Sequence, residues 1–188
     1  NKYELELFGE EKENGSISYG ALEKANKGTL LIDQVSEIPL DIQSKILRVL
    51  IDQKFKRVGG SNDVSVDVRL ICSSSKDLKK EIKIGNFRED LFHRINVFEI
   101  NIEPLNQRIA DIPLLIKYFS KKISENYTIK KLEIDENNTY ILNHNWHGNV
   151  RELRNLIERI AILQPENKDK VSNIIKESLK NTSYDDQM

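Results

Sequence analysis

The chain has 188 residues, 38% hydrophobic and 31% charged, which fits a globular protein of one domain or one domain with a small appendage. A formal net charge of −1 gives no global basic field for nucleic acid, and the single cysteine, Cys72, excludes an internal disulfide framework and suits a reducing cytoplasm. No apolar run approaches the roughly 20 residues that span a bilayer, so no membrane contact is expected, and Asn1 in place of methionine points to a fragment.

From Tyr3 to Phe8 the chain reads as the end of a helix, and "EEKENGSISYG" as a loop. Ala21 to Ala25 suits a short helix closed by Lys27-Gly28. "TLLID", residues 29 to 33, is short and fully apolar before its aspartate, the pattern of a parallel strand buried on both faces. Pro39 then opens "PLDIQSKILRVLIDQ", whose Leu40, Ile42, Ile46, Leu47 and Leu50 fall near helical spacing.

A Gly59-Gly60 turn separates two polar-apolar alternations, and Val68 to Cys72 reads as a second apolar strand. Helices are expected from Asp77 to Ile84 and from Arg88 to Ile95, and "NVFEINIEP" as a third strand stopped by Pro104. Strands alternating with helices of this length argue for an α/β sheet with helical crossovers, here over residues 1–104. After Pro104 the pattern becomes helical throughout, with amphipathic segments at Asp111–Asn126, Asp135–His144 and Val150–Leu163. Residues 105–164 therefore read as a small all-helical subdomain, and 165–188 as a polar, mobile tail with a weak helix over Val171–Leu179.

An aspartate ending a buried strand has two readings, a ligand for a metal ion or a cap for the next helix. The surrounding segments separate them. "ELFGEE", "GALEKANKGTLLIDQVSEIPLDIQSKILRVL", "FKRVGG", "VDVRLICSSSKDL", "GNFREDLFHRINVFEI", "PLNQRIADIPLL" and "WHGNVRELRNLIERI" occur in this order between residues 4 and 163. Together they resemble the AAA+ ATPase domain of the NtrC-type, sigma-54-interacting bacterial response regulators, and within that group the NtrX-like members. The resemblance implies a partial AAA+ P-loop NTPase sheet followed by a helical lid, with ATP and Mg as cofactors and a ring of identical subunits as the assembly.

It also implies roles for particular residues. Asp33 would hold the magnesium ion, and Gln34 stands where the family keeps a glutamate to polarise water. An amide there can hold water but cannot accept its proton, so hydrolysis is expected to suffer more than binding. Ser75 matches the γ-phosphate sensor, with three small residues filling a tight sheet edge as the other reading of Ser73–Ser75. Arg88 and Arg94 match the paired arginine fingers that reach a neighbouring subunit's ATP, against the plainer reading of pairs with Glu89 or Asp90. Arg151 matches the lid's nucleotide sensor, and Trp146 reads as a lid-core anchor.

Three features of the family do not occur in these residues. No "GxxxxGK[ST]" phosphate loop is present. By the family's layout its strand lies between the second and third strands read here, which leaves "NVFEINI" without a neighbour. Residues 10 to 23 are too short for the "GAFTGA" loop, so the resemblance does not extend to sigma-54 contact. DNA binding and the action of a sensor histidine kinase would require a helix-turn-helix and a receiver domain beyond these residues. The chain reads as a transcription-regulating ATP module, an excerpt or a split-gene product, with weak or no hydrolysis. A non-catalytic oligomerisation module and a degenerate product are the alternatives.

Overall fold

Residues 2–127 and 133–181 are described by the computed structural model, and they divide into two units, Asn1–Ile100 and Asn101–Met188, each with its own core. The first unit begins with α1 (Lys2–Phe8), followed by strands β1 (Glu10–Glu11) and β2 (Ile17–Ser18), then α2 (Ala21–Lys24). Strands β1 and β2 pair as an antiparallel hairpin, where the sequence reads as a plain loop. Arg57 ties this region together. It donates to both carboxylate oxygens of Glu23 at 2.6 and 2.8 Å, lies 3.6 Å from Glu11 and stacks 5.6 Å from the centre of the Tyr19 ring. Gly20 permits the crossing beneath it, since a Cβ there would sit 2.4 Å from the Leu7 carbonyl oxygen.

Strand β3 (Thr29–Ile32) runs into a short 3-10 turn, Val35–Glu37, and then into α3 (Leu40–Asp52). Ile42, Ile46 and Val49 recur at helical spacing and are buried, which turns one face of α3 to the core. Gln53 closes the helix in the left-handed region, its N–H donating to the Val49 carbonyl. Strands β4 (Lys54–Lys56) and β5 (Asp63–Ser65) form the hairpin expected around Gly59-Gly60. Phe55 of β4 meets Phe8 of α1 edge-on at 5.5 Å. Strand β6 (Arg69–Cys72) pairs in parallel with β3, and α4 (Leu78–Lys83) and α5 (Glu89–Ile95) complete the unit.

Two expectations about the sheet are corrected. Ile32 of β3 is buried, but Leu31 of β3 and Ile71 of β6 are exposed, so among the described residues the sheet is covered on one face only. An apolar run predicts burial on both faces only where other elements pack on both. The third strand is also absent among the described residues: residues 98–103 make no backbone hydrogen bond there, and Val97, Phe98, Ile100 and Ile102 stand in solvent. A strand is defined by its partner, and this segment has none.

In the second unit, 3-10 turns at Leu105–Gln107 and Ile109–Asp111 lead into α6 (Ile112–Tyr127), α7 (Thr139–Leu142), α8 (Asn149–Leu163) and α9 (Lys168–Asn181). Helix α7 is far shorter than the expected Asp135–His144. Asn138 caps it at the start, its side chain accepting from the Tyr140 and Ile141 N–H groups, and it ends at Leu142. Trp146 is buried as expected and donates its indole N–H to the Ile141 carbonyl at 3.1 Å.

The expected tail is the largest correction. Lys168–Asn181 is a regular helix, and Val171, Ile175 and Leu179 are buried in the same core as α6 and α8. Spacings of four residues set one apolar stripe within a polar helix, and packing rather than composition stabilises it. The end of the tail, residues 182–188, lies outside the described residues. Ile175→Ala should therefore destabilise the helical unit by about 2–5 kcal/mol, seen as a lowered melting temperature, whereas a mobile tail would register no change.

Candidate functional site

The register of the parallel pair sets Ile32 opposite Cys72, so the two strands end side by side. Asp33-Gln34 leaves one strand and Ser73-Ser74-Ser75 the other, at the carboxyl edge where open α/β sheets gather their ligand chemistry. Ser73 bridges them. Its hydroxyl donates to Asp33 Oδ1 and accepts from the Gln34 N–H at 3.2 Å, while its carbonyl accepts from the Val35 N–H at 2.8 Å.

Gln34 sits in the left-handed region at φ 55°, ψ 54°, an uncommon place for a long side chain that the surrounding bonds enforce. Its Oε1 accepts from both the Ser75 N–H (3.1 Å) and the Ser75 hydroxyl (2.8 Å). Ser75 thus points at Gln34 rather than outward. The Gln34 Nε2 donors have no acceptor among the described residues, so the amide offers N–H groups and no base. Glu37, three residues on, is paired with Lys76 at 2.8 Å.

Asp33 is exposed, and its second oxygen is free of protein donors among the described residues. No group of three or more His, Cys, Asp or Glu side chains that could enclose a metal occurs among them. A lone exposed carboxylate fits magnesium, which is commonly held by one or two carboxylates with waters and substrate phosphates, and does not fit a structural cage. Next to it, burial pushes the Cys72 thiol up to about 11, so it stays protonated at neutral pH and serves as a small apolar side chain.

The two candidate finger residues lie apart from this cluster, on the face shared by α3 and α5. Arg88 caps α5, holding both Asp90 oxygens at 3.0 and 2.6 Å and the Ser44 hydroxyl at 3.1 Å. Hydrogen bonding to Arg88 keeps the Asp90 carboxyl below its ordinary range, so the pair is intact at neutral pH and dissolves only in acid. Arg94 donates to the Leu50 carbonyl at the end of α3 at 2.9 Å. Neither arginine touches Asp33 or Gln34.

One buried side chain joins this face to the chain that follows Asp33. Gln43 is fully buried, and its Nε2 donates to the Ile38 carbonyl at 2.7 Å and the Asn86 carbonyl at 3.0 Å. Its Oε1 accepts from the Arg88 N–H at 2.9 Å. Gln43 and the bridging role of Ser73 escaped the sequence reading. Gln43 left one trace, an amide one position from the apolar stripe of α3; Ser73 was legible only as one of three small residues at the strand end.

In the helical unit, Arg151 occupies the first turn of α8, exposed and without an ion pair among the described residues. The turn before it is rigidly built. Asn149, at φ 53°, accepts from the Leu105 N–H at 2.7 Å. Glu152 accepts from the Gly148 N–H at 2.9 Å and meets His144 Nε2 at 2.7 Å, and the His144 ring packs edge-on to Trp146 at 4.7 Å. His144 is thus a packed residue.

An aspartate-bearing parallel strand pair in one unit and a helical unit with an arginine on its leading turn define the class: a partial AAA+ module with its lid. The family model for the sigma-54 interaction domain matches residues 2–101, and that for the AAA+ ATPase lid domain matches residues 106–187. The chain belongs to the sigma-54 interaction domain family. It is 44% identical to the nitrogen assimilation regulatory protein NtrX of Azorhizobium caulinodans over 164 residues, which is 86% of this chain and 36% of that protein. The crystal structure of NtrX from Brucella abortus superposes with a TM-score of 0.81 at 45% identity, covering 88% of this chain and 38% of that one. The same protein in complex with ATP gives a TM-score of 0.81 at 44% identity, covering 89% and 40%. The chain therefore spans a little over a third of the length of these relatives.

Gln43→Leu fills the same space but removes the partner of the buried Ile38 carbonyl and of the part-buried Asn86 carbonyl and Arg88 N–H. Denaturant unfolding should show a loss of about 1–3 kcal/mol for each group left unsatisfied, and Gln43→Glu should also destabilise, since a carboxylate cannot donate to Ile38 or Asn86.

Proposed function

We propose that this chain is the nucleotide-responsive part of an NtrX-like response regulator, acting in transcription through self-assembly. The observation that carries this reading is the strand-end network in which Asp33, Gln34, Ser73 and Ser75 hold one another. The relative solved with ATP supports it, being 44% identical over most of this chain. Asp33 would hold Mg²⁺, which supplies charge neutralisation for the phosphates of bound ATP. Arg151 stands exposed on α8 for a phosphate. Arg88 and Arg94 would exchange their present partners, Asp90 and the Leu50 carbonyl, for the nucleotide of a neighbouring subunit.

Hydrolysis is weak or absent in this reading, and the geometry gives the reason. The oxygen of Gln34 is already held by two Ser75 donors, and its remaining amide hydrogens can only donate. The module then works as a binding-dependent switch. The β1–β2 hairpin is not assigned to sigma-54 contact. DNA and a sensor kinase would meet other domains of the whole regulator. A second reading, a purely oligomerising module, is favoured by the local ties of Arg88 and Arg94, since both arginines already have partners.

The test is a calorimetric titration of Mg·ATP with the phosphate-loop segment supplied, alongside light scattering. Binding that drives assembly with negligible turnover is the expected result, and Asp33→Asn should remove its magnesium dependence. Gln34→Glu should raise turnover at least about tenfold, because the carboxylate can be held by Ser75 through one oxygen and accept a proton on the other. Absence of binding at millimolar nucleotide would leave the oligomerising module as the surviving reading.

A further inference from the structure

Ser75 fixes which way the Gln34 amide is turned. A carboxamide has an acceptor oxygen at one end and a donor nitrogen at the other, and its partners decide which end lies where. One partner here is the Ser75 backbone N–H, which can only donate, so the atom 3.1 Å from it is Oε1. The Ser75 hydroxyl, 2.8 Å from the same oxygen, donates to it as well. The Nε2 group is thereby turned away from Ser75, with two hydrogens to give.

The frame around this amide is held along its length. The loops that follow β3 and β6 are joined by Ser73 to the Gln34 N–H (3.2 Å), by Ser74 to the Ser36 hydroxyl (3.2 Å) and by Lys76 to Glu37 (2.8 Å). Asp33 is bonded to the same Ser73 hydroxyl that accepts from Gln34. A carboxylate and an oriented amide donor thus leave one strand end together. The carboxylate suits a divalent cation and the donor suits an anion, and a metal-bound phosphate presents both. Ser75, which the sequence matches to a phosphate sensor, has its hydroxyl hydrogen committed to Gln34.

We propose, resting on the nucleotide-binding reading of this site, that Gln34 Nε2 donates to the terminal phosphate of a bound nucleoside triphosphate. Gln34 thereby sets the preference for triphosphate over diphosphate, and Ser75 is its positioning residue. The side chain that withholds a base from hydrolysis is then the one that reads whether the terminal phosphate is present. A neutral amide suits this role better than a carboxylate, whose charge would face the phosphate oxygens.

With the phosphate-loop segment supplied, calorimetry of ADP and of the non-hydrolysable β,γ-imido analogue of ATP, each with Mg²⁺, gives the ratio of the two affinities. A hydrogen bond to a charged acceptor corresponds to roughly ten- to hundredfold in affinity, so Gln34→Leu should lower the triphosphate preference by about that factor. Gln34→Glu should lower it further, because a carboxylate held by Ser75 through one oxygen turns the other toward the phosphate. Ser75→Ala keeps the backbone donor and loses the hydroxyl, so its effect should be smaller than that of Gln34→Leu, and Ser75→Thr should restore the ratio. Gln34 is half-buried and Ser75 exposed, so these substitutions leave the core in place. If both nucleotides bind but the ratio is unmoved by Gln34→Leu, or raised by Gln34→Glu, the role of Gln34 is overturned and the nucleotide-binding reading stands. If neither nucleotide binds the unaltered protein, that reading is overturned and the role of Gln34 with it.

Discussion

The parallel pairing of β3 with β6 is the constraint on which the candidate site depends. Neither Asp33 nor Ser75 has a fixed place until the register sets Ile32 beside Cys72. With that register, the two strand ends emerge together, and their side chains satisfy one another instead of water. Ser73 restrains the aspartate, and Ser75 restrains the glutamine. A one-residue slip would turn each apolar side chain of the pair to the opposite face and separate these bonds. The left-handed backbone of Gln34 is part of the same arrangement, since three bonds from Ser73 and Ser75 hold the residue where its backbone alone would not stay.

That pairing is itself short. Two strands of four residues, covered on one side, make a small sheet, and isolated two-stranded sheets are marginal. Its stability comes from the helices beneath it. Ile42, Ile46 and Val49 of α3 and Leu91 of α5 share one core with Ile32 and Val35. Gln43 holds that core to the loops at either end of the site. It is the only fully buried polar side chain among the described residues, and all its bonds are to backbone groups of segments with no regular structure. A buried amide of this kind specifies position more than it adds stability, because each bond offsets a desolvation cost.

The arginines illustrate how local partners hold a cation until a better one arrives. Arg88 and Arg94 are anchored to α5 and α3 by bonds that are partly or wholly solvent-exposed, and exposed ion pairs contribute little. Exchanging them for phosphate oxygens would therefore cost little. Among the described residues Arg151 has no such tether, while the turn that carries it is fixed by Asn149, Glu152 and the His144–Trp146 contact.

Sequence alone determined the features that depend on near neighbours. The apolar run ending at Asp33, the helical period of α3, the Arg88–Ile95 helix and the Trp146 anchor all follow from spacings of two to four residues, where backbone geometry dictates which side chains share a face. The order of motifs also carried the family and the α/β-then-helical plan. Tertiary structure decided what depends on distant chain. The Ser73–Asp33 bond spans 40 residues and the Arg88–Gln43 bond 45, and no local pattern encodes either. The same reason separates α9, helical because a core elsewhere receives Ile175, from Val97–Ile102, which has a strand's alternation and no strand beside it among the described residues. Periodicity states which face of a segment is apolar; only the rest of the fold supplies, or fails to supply, the surface that buries it.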